Sequence, residues 1–419
     1  METYANVLLI ALPSFMVLIL IEILYGYRKK NINYNLMDTI SSLSAGASNM
    51  IKNLLGIGFA IISYPYIVAA IALVQLEESI GLYLIAFVCI DFASYWNHRL
   101  NHSINIFWNR HVVHHSSEEF NLACALRQSI SNNIIGFGAL FLIPAGLFGV
   151  PSKIIILLAP LHLFAQFWYH TQHIGKLGWL EYIFVTPSQH RVHHAINQEY
   201  VDKNLSAIFC VWDRLFGTFQ EELEAVPCIY GSLKPVQTWN PILINFQHNW
   251  GLAKDAWHAK NWADKFKLWF MPTGWRPEDV SNRFPRPKAK SVYEQEKYAP
   301  KYATLHKVFA VFQFLSLNVF IYILLISFGE FSMATKLSFG FLIFTTIFGF
   351  TSILDGYKWA FFFEISRSFL GLASLLYFFQ LSLLEIHFSL YAFLTSYFIV
   401  SLILTFCMHN GLPERSSDT

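Results

Sequence analysis

Charge is scarce in this sequence. Asp, Glu, Lys and Arg make up 13% of its 419 residues, about half the share usual for a soluble chain. That excludes a disordered chain, a coiled coil and an ordinary cytosolic enzyme. The charges nearly cancel, to +2, so a general nucleic-acid binder is excluded and no nucleic-acid partner is expected. Cysteine is scarce as well. The five cysteines (Cys89, Cys124, Cys210, Cys228, Cys407) lie far apart with no CxxC, which argues against a disulfide framework and a Cys-based zinc site. HExxH is absent, disfavouring a zincin protease. The paired Glu and ExxH ligands of soluble di-iron bundles are absent too. Neither an HPGG haem-domain motif nor a GxGxxG occurs, so reducing electrons must come from a separate protein or a diffusible donor. No sequence repeat or low-complexity tract is present.

What fills the chain is apolar. Hydrophobic residues reach 55%, Phe occurs 40 times and mean hydropathy is +0.41. These values describe a polytopic membrane protein. A helix needs about 20 mainly apolar residues to cross a bilayer, and nine stretches qualify. They are Ala5–Tyr27, Ile51–Gln75, Ile80–Trp96, Ile130–Val150, Ser152–Tyr169, Val308–Phe328, Thr335–Leu354, Trp359–Phe379 and Ile386–Met408. The fourth and fifth, joined at Pro151, read as a hairpin that enters and leaves on the cytoplasmic side, either spanning or re-entrant. Arg28-Lys29-Lys30 directly after the first stretch marks a retained anchor whose C-terminal end is cytoplasmic. Nine crossings then put the N-terminus outside and the C-terminus inside. Residues 174–306 are too polar to span. Between Lys254 and Lys301 there are 11 Lys/Arg against 6 Asp/Glu, a cytoplasmic signature suited to anionic lipid heads. Three regions follow: N-terminal membrane helices over 1–80, a catalytic region with a cytoplasmic cap over 81–305, and C-terminal membrane helices over 306–419.

Histidine is the unusual residue. Of 16 histidines, 11 fall between His98 and His194. They form an HxxxH (His98, His102), an HxxHH (His111, His114, His115), the pair His170 and His173, and a second HxxHH (His190, His193, His194). Residues three and four apart share a helix face, so each box aims its imidazoles toward one side. With His170, the boxes offer nine ligands, too many for one ion and enough for two. Imidazole suits Fe, Zn, Cu and Ni. A structural zinc site closes with four ligands, so a dinuclear iron centre that activates O2 is the best remaining chemistry. A single HxxxH is common by chance; two HxxHH boxes at the ends of apolar stretches are not. The expected fold is therefore all-α: a polytopic membrane helical bundle with a histidine-rich dinuclear metal site on its cytoplasmic face.

Metal-bound histidines usually donate their other N–H to an acceptor. Asp91, Tyr95, His98 and His102 share a helical stripe, which makes Asp91 a candidate to orient His98. His162 and His173 are read as supporting or packing residues. Glu118, Glu119, Asn121, Arg127 and Gln128 after the second box, and Asp202, Lys203 and Asn204 after the fourth, are candidates to bind ligands or substrate. Asp91 and Asn204 are the catalytic candidates among them. His248, His258, His306, His387 and His409 stand alone and are read as non-ligands.

The boxes HRLNH, HVVHH and HRVHH among membrane spans resemble the fatty acid hydroxylase/sterol desaturase superfamily. WNRHVVHHSSEEFNLACALRQS (108–129), QFWYHT (166–171), TPSQHRVHH (186–194), DKN (202–204) and IFCVWDRLFGTF (208–219) resemble its alkylglycerol monooxygenase branch. The resemblance implies two iron ions, O2 as oxidant, a membrane lipid substrate and an external electron donor, tetrahydrobiopterin in that branch. It implies hydroxylation of the carbon next to an ether oxygen. Carried over residue by residue, the ligands are His98, His102, His111, His114, His115, His170, His190, His193 and His194. Two positions depart from the pattern. Ser103 follows the first box where Glu is common, and Gln189 precedes the fourth where His is common. Hydroxylation of a sterol, sphingolipid or fatty acyl chain, and desaturation, begin with the same hydrogen abstraction and remain alternatives. A metal-ion transporter is the rival from another class. Transporters place their ligands near the bilayer midplane, whereas these boxes sit at span ends.

Overall fold

The structure is a computed structural model that describes residues 2–57, 64–131, 137–286, 291–380, 388–409 and 411–413. Helices dominate, and no strand forms among the described residues beyond isolated bridges. In chain order the helices are α1 (Glu2–Lys29), α2 (Leu36–Leu54), α3 (Tyr64–Ile71), α4 (Ile80–Ser103), α5 (Asn105–His115), α6 (Leu122–Ala125), α7 (Ile143–Leu147), α8 (Ser152–Phe164) and α9 (Pro187–His194). They continue with α10 (Val211–Phe216), α11 (Pro241–His258), α12 (Trp262–Lys267), α13 (Glu278–Arg283), α14 (Thr304–Ile326), α15 (Met333–Leu354), α16 (Lys358–Gln380) and α17 (Phe388–Cys407).

Six of these are long and apolar enough to cross a membrane: α1, α4, α14, α15, α16 and α17. The protein is a multi-pass integral membrane protein; among the described residues six helices, against the nine expected stretches, have the length and composition to cross, and residues 58–63 and 132–136 of two expected stretches lie outside the described residues. The stretch from Ile51 fails because α2 ends in a glycine stop. Gly56 takes φ +66°, its N–H reaches the Asn53 carbonyl and the Ile57 N–H reaches that of Lys52, which is a Schellman termination. Residues 58–63 lie outside the described residues. Beyond them α3 has eight residues, about 12 Å of helix. In the expected hairpin, α7 has five residues and α8 thirteen, and at about 1.5 Å per residue neither reaches a roughly 30 Å hydrocarbon core.

The chain divides into two compact units. One comprises residues 1–14, 237–243 and 297–419, the other residues 15–236 and 244–296. Residues 15–80 fall in the second of these units, with the histidine-bearing segment. In the C-terminal unit, one buried polar network draws on all four long helices. Arg367 binds Glu364 in bidentate fashion and also donates to Thr346, while Gln313 bonds both Ser401 and Tyr397. Ionisable residues inside a membrane bundle are expensive and pair up. Glycine at 349 is what admits the pair, because a Cβ there would lie 1.7 Å from a Glu364 carboxylate oxygen.

α2 carries no candidate span and no box, and it is the second unit's polar seam. Asn35 caps its first turn, accepting from the N–H groups of Met37 and Asp38. Asp38, Ser41, Ser42, Ser44 and Ser48 are buried along it. Asp38 accepts from Ser117 and lies 3.8 Å from the fully buried Arg127, which donates to Ser41 and Ser116. This holds the loop after α5 against α2.

Candidate metal centre

The chain turns sharply between α4 and α5. Ile104 is extended, and the carbonyls of Met271 and Trp269 take up the N–H groups of Asn105 and Ile106 at 3.0 Å. The turn brings His98 and His102 of α4 against His111 and His115 of α5. α9, started by Pro187, brings His190, His193 and His194, and His170 lies on the segment after α8.

The nine histidines form two groups. His98, His102, His111, His115 and His193 make one; His114, His170, His190 and His194 make the other. Within each group the ligating atoms lie within 4.8 Å of one another. The boxes do not each serve one side. Each HxxHH gives its i,i+4 pair to one group and its intervening histidine to the other. Positions four apart differ by about 40° around a helix, whereas the position three along points roughly 60° the other way, so the split follows from helical geometry.

Five imidazoles are held from behind. The Nδ1–H groups of His98, His114, His170 and His193 donate to the carbonyls of Leu205, Arg127, Gln166 and Lys203 at 2.8, 3.2, 3.0 and 3.0 Å. His102 Nδ1 meets the Asp202 carboxylate at 3.0 Å. With the proton on Nδ1, Nε2 is left as a bare lone pair. His102 and His193 Nε2 are buried with no hydrogen-bond partner. His114 and His170 Nε2 face each other at 3.4 Å, two acceptors with no proton to share. Such a pairing is repulsive unless a cation lies between, and this donor set fits a metal ion. Burial pushes the imidazoles of His111, His115, His170, His190, His193 and His194 well below their ordinary pKa, and that of His114 down to about 4. Desolvation is the main cause, and repulsion from neighbouring imidazoles adds to it. Neutral rings are the state a metal requires.

Aromatic walls close the site. Phe120 stacks on His170 at 5.8 Å between ring centroids, Tyr169 lies 4.3 Å from His190, and Trp108 packs against His102 at 5.2 Å. Arg191, inside the last box, turns away to bind Glu222 in bidentate fashion and to donate to the carbonyls of Thr171 and Ile174. It thereby fixes α9 to the segment that carries His170.

The expected pairing of Asp91 with His98 is not made. Asp91 accepts from His162 Nε2 at 2.7 Å, from the backbone N–H groups of Ile208 and Phe209, and from the Trp212 indole. Seven residues of helix separate Asp91 from His98 by about 10 Å along the axis, beyond hydrogen-bond reach despite the shared face. Asn204 does not reach the histidines either. It takes φ +51° and locks the Gln189 carbonyl and both polar backbone groups of Gln220. His162 serves Asp91, and His173 packs edge-on to Tyr25; neither belongs to a group. Asn121 caps α6, and Arg127 acts through its carbonyl on His114. His248 donates from Nε2 to the Asn105 carbonyl, His258, His306 and His409 fall outside both groups, and His387 lies outside the described residues.

Asp202 emerges as the carboxylate that backs a histidine. Asp202→Asn, with a weaker neutral acceptor, is expected to lower metal retention in the five-histidine group by about 10- to 100-fold. Chelator competition on the purified protein checks this.

Two further residues had been passed over. Asp213 accepts from the N–H groups of Leu205 and Ser206 and so fixes the carbonyl that holds His98. Glu22 lies within the first membrane helix and is buried. It accepts from Tyr34, from Thr171, which follows His170, and from the Leu122 N–H at 2.8 Å. A lone carboxylate in an apolar span is the signal that marks it. Glu22→Gln keeps one acceptor and turns its NH2 group toward one or two of the three donors. Metal retention in the four-histidine group is expected to fall about 10-fold, with the five-histidine group unaffected, as read by the same competition.

Buried neutral imidazoles in paired groups on a multi-pass helical protein suit a metal-dependent membrane enzyme, and the chain belongs to the fatty acid hydroxylase family of membrane lipid hydroxylases. The family's sequence profile matches residues 83–218. The chain is 35% identical to human alkylglycerol monooxygenase over 310 residues, covering 73% of this chain and 68% of that one. It is 33% identical to the Xenopus tropicalis alkylglycerol monooxygenase over 304 residues, 72% and 67% of the two chains. Ornithine lipid hydroxylase OlsE of Rhizobium tropici is 29% identical over 136 residues, 32% of this chain and 41% of that one. No solved structure matches.

Proposed function

We propose that each histidine group holds one iron ion and that the enzyme uses O2 to hydroxylate the carbon next to the ether oxygen of a glycerol ether lipid. The hemiacetal formed then breaks down to an aldehyde and the glycerol moiety. The observation that supports this most is the inward-facing set of unprotonated, buried imidazole nitrogens, divided five and four. Bound iron supplies the reduction of O2 and the C–H abstraction that no side chain performs. The chain's own residues do the rest. His98, His102, His111, His115 and His193 ligate on one side; His114, His170, His190 and His194 ligate on the other. Backbone carbonyls and Asp202 hold the rings in one tautomer, and Phe120, Tyr169 and Trp108 keep water out. The ether lipid is the substrate class named by the alkylglycerol monooxygenases. Two electrons per turnover come from outside the chain, with tetrahydrobiopterin the donor implied by the resemblance. The basic residues at 28–30, directly after the helix whose Glu22 bonds Thr171 beside His170, and those over 254–301 support a site on the cytoplasmic side.

The test is turnover of a long-chain alkylglycerol by the reconstituted protein under 18O2, with the aldehyde trapped by immediate reduction to the alcohol. One 18O atom in the trapped alcohol and two irons per chain are expected. An alkene product, or a single tightly held ion, overturns the reading.

A further inference from the structure

The charged segment 244–275 has two faces, and the metal site uses only one. The inner face of α11 is fastened to α5. Asn109 donates to the Asn245 carbonyl at 2.7 Å and accepts from the Asn249 N–H at 3.0 Å, and His248 donates to the Asn105 carbonyl. The chain after α12 is fastened to the α4–α5 turn. Asn105 donates to the Leu268 and Trp275 carbonyls, and Thr273 donates to that of His102. The outer face therefore rides rigidly on the helices that carry the first two boxes.

That outer face is aromatic. Phe246, Trp250 and Trp257 recur at i, i+4 and i+11, within about 40° around α11, and Trp262, Phe266 and Phe270 follow at i, i+4 and i+8. All six are exposed, Trp257 by 82% and Trp262 by 71%. Trp262 and Phe266 stack at 6.3 Å between ring centroids, and so many exposed aromatic rings on one short segment mark an interaction site. Lysines border it. Lys254 and Lys265 lie over Trp250 and Trp262 at 5.6 and 5.5 Å, and Lys267 lies over Trp275 at 5.4 Å. Lys265 also caps the last carbonyls of α11, while Lys254, Lys260 and Lys267 remain exposed. Of the two acids in the segment, Asp255 is turned inward onto Arg276 and Arg286, and Asp264 lies about 160° around α12 from Trp262. Neither helix is apolar enough to span, so an aromatic stripe with a cationic rim fits the boundary between headgroups and acyl chains, where Trp rings sit wet at one end and dry at the other.

We propose that this face is a bilayer-docking surface, with its six rings at the headgroup–acyl boundary and its lysines on anionic lipid phosphates. It holds α5 and the α4–α5 turn at that depth, so a lipid reaches the histidines from the headgroup layer. The docking claim does not depend on the hydroxylase reading, because its readout needs no turnover.

The test uses the full chain in phosphatidylcholine/phosphatidylglycerol nanodiscs, with exposed Cys407 replaced by Ser and a nitroxide attached at Trp257→Cys. Glu199→Cys, on an exposed turn, is the control. Power saturation is expected to show position 257 open to O2 and shielded from a water-soluble nickel complex, with position 199 open to both. In a Trp257→Cys protein also carrying Lys254→Glu, Lys260→Glu and Lys267→Glu, the label is expected to move toward water only where phosphatidylglycerol is present. Equal nickel access at 257 and 199 overturns the proposal. Shielding of position 257 from both O2 and nickel also overturns it, in favour of a protein partner on this face.

Discussion

His193→Ala and His102→Ala are expected to produce the same defect although they lie on different helices and in different boxes. Each removes a ligand from the five-histidine group. Each should cost about one metal equivalent and lower turnover beyond the roughly 10- to 100-fold typical of losing a ligand's supporting partner. Combining them should add little, because residues that act as one unit are not additive. His190→Ala, only three residues from His193, should instead empty the other group, and the His190/His193 double variant should retain almost no metal. Metal content of the purified variants decides the matter. If the His190/His193 double variant still retains about one equivalent, like either single variant, ligands are partitioned by box and the spatial grouping is wrong.

Asp91→Asn is expected to loosen the segment 205–212 first and the metal second. The carboxylate receives four donors while fully buried. An amide of the same size keeps one acceptor and turns an NH2 group toward donors. Each buried donor left unmet costs about 1–3 kcal/mol. Hydrogen exchange at Ile208 and Phe209 should therefore quicken, and activity should fall about 10- to 100-fold, because Leu205 in that segment holds His98. Unchanged exchange together with lost activity would show that Asp91 acts on the chemistry directly.

The histidine boxes were legible because helical spacing is written in the sequence and nine imidazoles seldom recur at such intervals by accident. Their division into two groups was not. It depends on the few tens of degrees between the fourth and fifth positions of HxxHH, which a statement about shared faces blurs. The C-terminal helices were legible as long apolar runs. α3, α7 and α8 read as parts of spans because hydropathy sums over a window and ignores a left-handed glycine at 56 or a prolyl break at 151; the short α7 and α8 fit the re-entrant alternative. α2 carries no hydropathy signal because its buried face interleaves Asp38, Ser41, Ser42, Ser44 and Ser48 with its apolar residues. Asp91 was tied to His98 by angle alone, with the rise of two helical turns left out. Glu22 was absorbed into an anchor whose other residues are ordinary for lipid contact.

His114 and His115 are adjacent on one backbone yet face different groups, as are His193 and His194. Consecutive Cα atoms lie about 3.8 Å apart, so the spacing between the two groups is written into the peptide chain itself rather than into the packing of separate helices. A rotation of α5 that withdrew His111 and His115 from one group would swing His114 out of the other. α9 is bound by the same rule in the opposite sense. Neither α5 nor α9 can turn its ligands out of one group without disturbing the other, and through these two helices the groups are mechanically linked.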